Sequence, residues 1–298
     1  MYPSKGSVLR QLITNHSPVA IVGTVNAYCA LLAEHAGCKA IYLSGAGVAN
    51  ATYGLPDLAM TSCTEVVEEA QRLTAATDLP LLVDIDTGWG HYYSIGRTIK
   101  LMEKAQVAAV HIEDQITAKR CGHRMNKAIV SMQEMGDRIK AAVDARINAD
   151  FFIIARTDAY AIEGLQSALD RASYYIEQGA DAIFPEALQH TTEYAQFTHT
   201  INRPILANLT EFGQTPLFTK QELAAVGIQL LLYPLSAFRA MSQAALNVYQ
   251  AIETYGTQKG QIHAMQTRAD LYQILKYETY EKTLDKIILA HGSTNNNE

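Results

Sequence analysis

The chain has 298 residues, of which 48% are hydrophobic and 18% are charged, values that indicate a compact globular protein rather than a disordered one. Its formal net charge of -6 argues against a globally basic surface for nucleic acid or an anionic membrane. Four scattered cysteines without a CxxC pair argue against a disulfide framework or a zinc site and fit a reducing compartment. The apolar runs are far below the roughly 18 residues of a membrane span, and the N-terminal stretch shows no hydrophobic signal core, so we expect a cytoplasmic protein.

Eight short and almost wholly apolar segments recur along the chain and are typical of buried parallel strands. In chain order they are VAIVG (19–23), AIYLS (40–44), PLLVD (80–84), AAVHI (108–112), FFIIA (151–155), DAIFP (181–185), PILAN (204–208) and IQLLL (228–232). Amphipathic stretches typical of helices separate most of them. In two of these stretches, Ser62 with Glu65 and Ser131 with Glu134 form the pattern of a helix N-terminus.

Eight strand–helix units predict an α/β fold of the (β/α)8 TIM-barrel type. The alternative is a doubly wound sheet, which normally has a glycine-rich phosphate turn after its first strand, and GAG at 45–47 is only a fragment of that turn. No linker rich in Pro, Gly and Ser divides the chain. We therefore expect a single barrel domain over residues 1–298, with a disordered tail from about residue 290.

Polar residues follow the predicted strands directly, at the end of a barrel where chemistry takes place. Asp84 and Asp86 are two residues apart, so both are expected to project to one face, where adjacent carboxylates repel unless a cation or a proton intervenes. Glu113 ends the next strand. These oxygen ligands predict a Mg²⁺ or Mn²⁺ site, and capping of the following helix is the structural alternative for the aspartates.

The segment AKRCGHR (118–124) surrounds Cys121 with the basic side chains of Lys119, Arg120, His123 and Arg124. Nearby cations favour a thiolate, and the glycine permits tight backbone geometry, so we expect a reactive thiol above the predicted metal site. The thiol can act as a nucleophile or as an acid, and the cations can bind a polycarboxylate. The alternative is a solvated basic loop with an incidental cysteine.

Together with LPLLVDIDTGWG, HIEDQ, ARTDA, FPEA, NLTEFG and YPLSAFRAM, this segment resembles the isocitrate lyase and phosphoenolpyruvate mutase superfamily over nearly the whole chain. The KRCGH signature is specific, and the mutase branch lacks its cysteine. Arg120 at the second position of the signature and the compact length favour the methylisocitrate branch. Two positions depart from the family pattern: Ala46 replaces a glycine, and DIDTGWG replaces DADxGFG, where Ile85 is expected to point away from the site.

The resemblance implies a homotetramer whose barrels exchange their last helix, and Mg²⁺-dependent cleavage of (2S,3R)-2-methylisocitrate to pyruvate and succinate in the methylcitrate cycle. It also implies that Asp84 and Asp86 hold the metal, that Glu113 supports it through water, and that Cys121 and His123 lie on a mobile loop. The substrate contacts that it implies are Ser44, Gly45, Ala46, Asp57 (near the metal), Gly122, Arg156, Glu186, Asn208, Thr210, Arg239 and Arg268.

Such a lyase needs a base at the C2 hydroxyl and an acid for the carbanion. We predict that Cys121 is the acid, helped by His123, Lys119 and Arg120, and that Tyr42 is the base, with a metal-linked carboxylate as its rival. The extra methyl group of the substrate requires an apolar recess. The candidates for this recess are Phe184, Leu232 and Pro234.

Three other hypotheses remain open from the sequence. The first is an isocitrate lyase that forms glyoxylate and succinate. The second is a mutase or hydrolase acting on phosphonopyruvate or oxaloacetate, against which Cys121 argues. The third is a catalytically silent barrel that binds carboxylates, against which the intact set of Asp84, Asp86, Cys121 and Arg156 argues.

Overall fold

The computed structural model describes residues 3–122 and 127–294, with side chains up to residue 288. These residues form eight strands, and each strand begins and ends within two residues of its predicted limits. They are β1 (Val19–Gly23), β2 (Ala40–Leu43), β3 (Leu81–Asp84), β4 (Ala109–Glu113), β5 (Phe152–Thr157), β6 (Ala182–Pro185), β7 (Leu206–Asn208) and β8 (Leu230–Tyr233).

All paired strands run parallel, in the spatial order β6-β5-β4-β3-β2-β1-β8-β7. A parallel bridge between Ile183 and Ile205 joins the two outer strands of this order. The sheet is therefore a nearly closed barrel, and the predicted (β/α)8 architecture is confirmed.

Helices lie between the strands and after the last one. They are α1 (Lys5–Asn15), α2 (Ala27–His35), α3 (Gly45–Gly47), α4 (Cys63–Ala76), α5 (Tyr92–Lys104), α6 (Met132–Ala145), α7 (Tyr160–Glu163), α8 (Leu165–Glu177), α9 (Thr191–Thr200), α10 (Lys220–Ala225), α11 (Ser236–Tyr255), α12 (Arg268–Ile274) and α13 (Tyr277–Thr294). A π-helical turn, Val48–Thr52, follows α3, and a 3-10 helix, Lys259–Ala264, precedes α12. Ser62 and Ser131 cap α4 and α6 as their sequences predict.

Alternation along each strand divides the core into two layers. In β5, Phe152 and Ile154 belong to the cluster inside the barrel, whereas Ile153 and Ala155 belong to the cluster between the sheet and the helices. The inward series of this strand continues with Arg156. A strand has a side-chain period of two, so the residue types at alternate positions decide which chemistry enters the barrel. Ile85 packs in the outer cluster and points away from the site, as expected.

The described chain forms two compact units, which divide between Arg239 and Ala240. The first unit contains the complete barrel. The second contains most of α11, together with α12 and α13. Within the described residues, none of the helices combines the length and the apolar character that a membrane span requires.

Candidate active site

A ring of polar side chains continues the inward-facing series of the strands at their carboxyl ends. All of these side chains are buried, because the apolar layer of the barrel lies on one side of them and the strand–helix connections on the other. The ring follows from sequence alternation, in which apolar inward residues give way to polar ones at the end of each strand. Its members are Ser44, Asp84, Glu113, Arg156, Glu186 and Asn208.

Asp84 and Asp86 converge on Gly45 at the end of β2. The amide of Gly45 donates to Asp84 Oδ2 at 3.2 Å, and a Cβ atom at residue 45 would lie 3.3 Å from Asp86 Oδ1. Asp86 has a φ of 47°, a left-handed conformation that is uncommon outside glycine. Burial and the charge of Asp84 raise the pKa of Asp86 to about 6. The two carboxylates therefore hold their charges close together at an energetic cost.

Lys119 spans two of the acidic groups. Its Nζ lies 2.5 Å from Asp57 Oδ1 and 2.9 Å from Asp86 Oδ1, and the side chain is only 5% exposed. Burial disfavours the ammonium, but Asp86, Glu113 and Asp57 more than offset burial and raise the pKa of Lys119 well above its ordinary value. The charge of Lys119 is thus directed at carboxylates on the connections after β2 and β3.

Arg156 links three carboxylates around the barrel. Its guanidinium lies 3.3 Å from Glu113 Oε2, 3.0 Å from Asp158 Oδ2 and 3.3 Å from Glu186 Oε2. Asn208 donates to both oxygens of Glu186 at 3.3 Å. This network fixes the orientation of Arg156, because a planar guanidinium held by three partners has little rotational freedom.

Tyr42 and His111 form a buried pair beneath the ring. The Tyr42 hydroxyl lies 2.9 Å from His111 Nε2, and the rings stack with centroids 5.7 Å apart. Burial, reinforced by Asp84, raises the pKa of Tyr42 well above its ordinary value. Burial lowers the pKa of His111 to about 4, so its imidazole is neutral and can accept a hydrogen bond from the phenol.

Cys121 and Gly122 lie against the polar ring. Both line the cavity that Arg156 and Glu186 border. A Cβ atom at Gly122 would lie 2.3 Å from Arg156 Nη2 and 2.6 Å from Glu186 Oε2, so the approach requires glycine.

The backbone just before the thiol is held by Gln115, which accepts from the Arg120 amide at 2.9 Å and donates to its carbonyl at 2.8 Å. The side chain of Arg120 is exposed.

One cavity gathers most of the predicted site residues. Those that line it are Tyr42, Ser44, Ala46, Asp57, Asp84, Lys119, Cys121, Gly122, Arg156, Glu186, Asn208, Thr210 and Arg239. The methyl-recess candidates Phe184, Leu232 and Pro234 line the same cavity. Gly45, Asp86 and Glu113 contact its lining residues. Arg268 lies in the second compact unit, at the start of α12, and His123 lies outside the described residues.

The acidic residues fit a hard divalent cation. Among residues 3–122 and 127–294, no three His, Cys, Asp or Glu side chains form a ready-made metal cage. Mg²⁺ needs no such cage, because it usually keeps several waters and takes one or two carboxylates from the protein. Asp84 and Asp86 provide such a pair, and within the described part of the chain Glu113 Oε1 is buried without a hydrogen-bond partner.

Three residues that contact the site, Lys127, Gln115 and His111, have no role assigned from the sequence. Lys127 and Gln115 contact the Cys121 segment through its backbone. His111 lies beside Tyr42. Its alternation with Glu113 along β4 was the available signal. The contacts of Lys127 and Gln115 had no such signal, since both depend on the path of the connection after β4.

Comparison with known proteins relates this barrel to one family. A model of the phosphoenolpyruvate phosphomutase family matches residues 9–253. The 2-methylisocitrate lyase of Shewanella oneidensis is 58% identical over 287 residues, which cover 96% of this chain and 98% of that protein. The 2-methylisocitrate lyase of Escherichia coli is 53% identical over 285 residues and covers 95% of this chain and 96% of its own length.

Solved structures agree with this similarity. The crystal structure of 2,3-dimethylmalate lyase, a member of the PEP mutase/isocitrate lyase superfamily, superposes with a TM-score of 0.88 at 28% identity and covers 95% of each chain. A phosphonopyruvate hydrolase in complex with oxalate and Mg²⁺ superposes with a TM-score of 0.82 at 26% identity and covers 94% of this chain and 98% of its own.

Proposed function

The chain belongs to the phosphoenolpyruvate phosphomutase family, and from this premise we propose that it is a lyase that cleaves 2-methylisocitrate to pyruvate and succinate. Relatives at 53% and 58% identity are named for cleavage of this substrate. The observation that carries the proposal is that Cys121 lines the same cavity as Asp84 and Arg156. A thiol beside a carboxylate pair and a guanidinium has the components that a retro-aldol cleavage requires.

The bond between C2 and C3 of the substrate breaks as follows. A base removes the proton of the C2 hydroxyl, and that oxygen becomes the carbonyl oxygen of pyruvate. The electron pair of the C2–C3 bond moves onto C3 and its carboxylate. Cys121 then donates its thiol proton to C3, which completes succinate, and the thiolate regains a proton from the base through solvent.

Tyr42 is the base that we propose, with His111 as the group that takes over its proton. A phenol with a raised pKa is a poor base by itself. The imidazole 2.9 Å away is placed to take the phenol proton in the same step in which the phenol oxygen takes the proton of the substrate hydroxyl. A carboxylate of the metal site is the alternative base, and unchanged kcat in a Tyr42→Phe variant would favour it.

Asp84 and Asp86 would hold a Mg²⁺ ion, with Glu113 nearby to accept from its bound water. When bound, this ion would stabilise the negative charge that develops on the oxygens of the 2-oxo acid. The protein residues around it hold the remaining groups in place. Arg156, fixed by its three carboxylate contacts, presents positive charge to the aci-carboxylate that forms at C3.

The methyl group on C2 requires an apolar surface within this polar cavity. Leu232 and Phe184 are the inward-facing apolar residues at the ends of β8 and β6, and both line the cavity. Pro234 directly follows β8, the strand that contains Leu232, and lines the same cavity. We propose that these residues form the methyl recess, which favours methylisocitrate over isocitrate by about 1–3 kcal/mol.

A homotetramer in the cytoplasm is the proposed state of the protein. In α11, described over its full length of 20 residues, only Ala251 is buried. The second unit exposes large apolar side chains such as Tyr255, Tyr280 and Leu284. Such surface is typical of protein–protein contact and supports exchange of the last helix between subunits. The scattered cysteines support a reducing compartment.

A direct comparison of two substrates tests the proposed function. We expect a higher kcat/KM for 2-methylisocitrate, with pyruvate as product, than for isocitrate, with glyoxylate as product, in a coupled 2-oxo acid assay with Mg²⁺. A clear preference for isocitrate would overturn the substrate assignment. Binding of either tricarboxylate by calorimetry without any 2-oxo acid product would identify a catalytically silent barrel.

A further inference from the structure

Lys127 is a buried cation that follows the thiol segment in the chain. Its side chain is 2% exposed. Its Nζ donates to the carbonyl of Gly122 at 2.6 Å and to Asp158 Oδ1 at 2.5 Å. One ammonium therefore joins the backbone immediately after Cys121 to the barrel wall beyond β5. This contact also joins Lys127 to Gly122, the described residues on either side of segment 123–126.

The partner of Lys127 in the barrel is itself held rigidly. Asp158 is fully buried and accepts from Arg156 Nε at 3.0 Å, and its amide donates to Asp114 Oδ1 at 2.8 Å. Asp114 in turn accepts from Thr157 Oγ1 at 2.7 Å and from the Tyr175 hydroxyl at 2.9 Å. Asp158 is thus held by Arg156 through its carboxylate and by Asp114 through its amide, which gives Lys127 a defined anchoring point.

The need to neutralise the Asp158 carboxylate does not by itself explain why Lys127 is buried here. Arg156 already approaches both Asp158 oxygens, with Nε at 3.0 Å from Oδ2 and Nη2 at 3.2 Å from Oδ1. The contact that Arg156 cannot supply is the one to the Gly122 carbonyl. Gly122 also packs directly on Arg156 and Glu186, so a small shift of its carbonyl alters the contact between the thiol segment and the site.

We propose that Lys127 is a positioning residue, which holds the Gly122 carbonyl and thereby sets the location of the Cys121 thiol relative to Arg156. This inference rests on the proposed function for its effect on catalysis, but not for its effect on the thiol. The carbonyl oxygen of Gly122 is two covalent bonds from the Gly122 Cα, and Cys121 is the preceding residue, so a hydrogen bond to this oxygen restrains the backbone next to the thiol. Loss of the ammonium releases this stretch of backbone, whereas the carboxylates and Arg156 keep one another in place.

The test compares Lys127→Met with Lys140→Met, a matched control in which an exposed lysine on α6 loses its ion pair with Asp144. Alkylation of Cys121 by iodoacetamide is followed by peptide mass spectrometry, with the Cys38 and Cys63 peptides as internal references. We expect Lys127→Met to raise the alkylation rate of Cys121 about tenfold. The charge-assisted hydrogen bond to the Gly122 carbonyl is lost, and the backbone beside the thiol is released towards the reagent. We expect kcat to fall about 100-fold with a smaller change in KM.

Each outcome has a defined meaning. Unchanged alkylation of Cys121 in folded Lys127→Met overturns the proposal, whatever happens to kcat. If Lys127→Met does not fold, Lys127→Gln is used instead. The shorter neutral side chain of glutamine keeps a donor for Asp158 but cannot also reach the Gly122 carbonyl. A wild-type alkylation rate of Cys121 in this variant overturns the proposal. If the wild-type protein lacks activity on methylisocitrate but Lys127→Met still raises the alkylation rate of Cys121, the positioning role is supported and the proposed function is rejected.

Discussion

Gly122 lies so close to Arg156 that a methyl group on its Cα would come within 2.3 Å of the guanidinium Nη2. Atoms at this distance overlap, so any side chain at residue 122 must displace either the thiol segment or the buried guanidinium network. The glycine thus determines how closely Cys121 can approach the carboxylate-binding groups.

Replacement of Gly122 tests this close approach. We expect Gly122→Ala to lower kcat/KM about 100-fold, because the thiol is displaced from the reacting carbon. The circular dichroism spectrum should stay near wild type, which shows that the variant folds. Gly260→Ala is the control, since a Cβ at that position would have none of the described atoms within 4 Å. Wild-type kcat/KM in Gly122→Ala would contradict the close approach.

Replacement of the thiol should separate binding from turnover. We expect Cys121→Ser to bind methylisocitrate in calorimetry but to lose about 10²–10⁴-fold in kcat, because a hydroxyl is a weaker acid than a thiol. Cys63→Ser, a half-buried cysteine at the start of α4, serves as the control. Turnover near wild type in Cys121→Ser would reject the proton-donor role.

Removal of divalent cations should abolish activity reversibly. We expect EDTA to stop pyruvate formation and Mg²⁺ to restore it, since the paired aspartates have the chemistry of a hard-cation site. In calorimetry, Asp86→Asn should weaken Mg²⁺ binding, whereas Asp144→Asn, an exposed carboxylate on α6, should not. Full activity after exhaustive chelation would remove the metal from the proposal.

The methyl recess can be tested with two leucines of one strand. Leu232 faces the barrel interior, whereas Leu231 faces the outer helices, and both are buried. We expect Leu232→Ala to lower the ratio of kcat/KM for methylisocitrate to that for isocitrate about tenfold.

Leu231→Ala removes the same atoms and should leave this ratio unchanged. A loss of about 2–5 kcal/mol in stability is expected for both variants, and it cancels in the ratio because both substrates meet the same folded fraction. Equal ratios in the two variants would contradict the assignment of Leu232.

Tyr160 should contribute a pH-dependent term to stability. Burial and a 2.6 Å hydrogen bond to Glu193 raise its pKa from 10.0 to about 12, so the folded state favours the protonated phenol. This stabilisation is complete below pH 10 and is lost as the pH rises towards 12.

Urea unfolding should therefore show a difference between wild type and Tyr160→Phe that shrinks between pH 10 and 12. Tyr93→Phe, at an 88% exposed position, is the control. A difference that stays constant over this range would contradict the assignment.

The barrel and its polar ring could be predicted from the sequence. Eight short apolar runs are enough to indicate eight buried strands, and a period of two decides which residues enter the interior. Arg156 follows Phe152 and Ile154 in this series, so its inward direction is a local property of the chain. The pairing of Asp84 with Asp86 and the cations around Cys121 are local patterns of the same kind.

The contacts that organise the site depended on the tertiary structure. Tyr42 contacts His111, Lys119 contacts Asp57, and Lys127 contacts Asp158. The partners are separated in the sequence by 69, 62 and 31 positions, respectively. No local pattern encodes such pairs, because they arise from which strands are neighbours in the closed sheet and from the path of the connection after β4. A long lysine side chain takes as its partner whichever buried carboxylate the fold brings within reach, and only the assembled barrel decides which one that is.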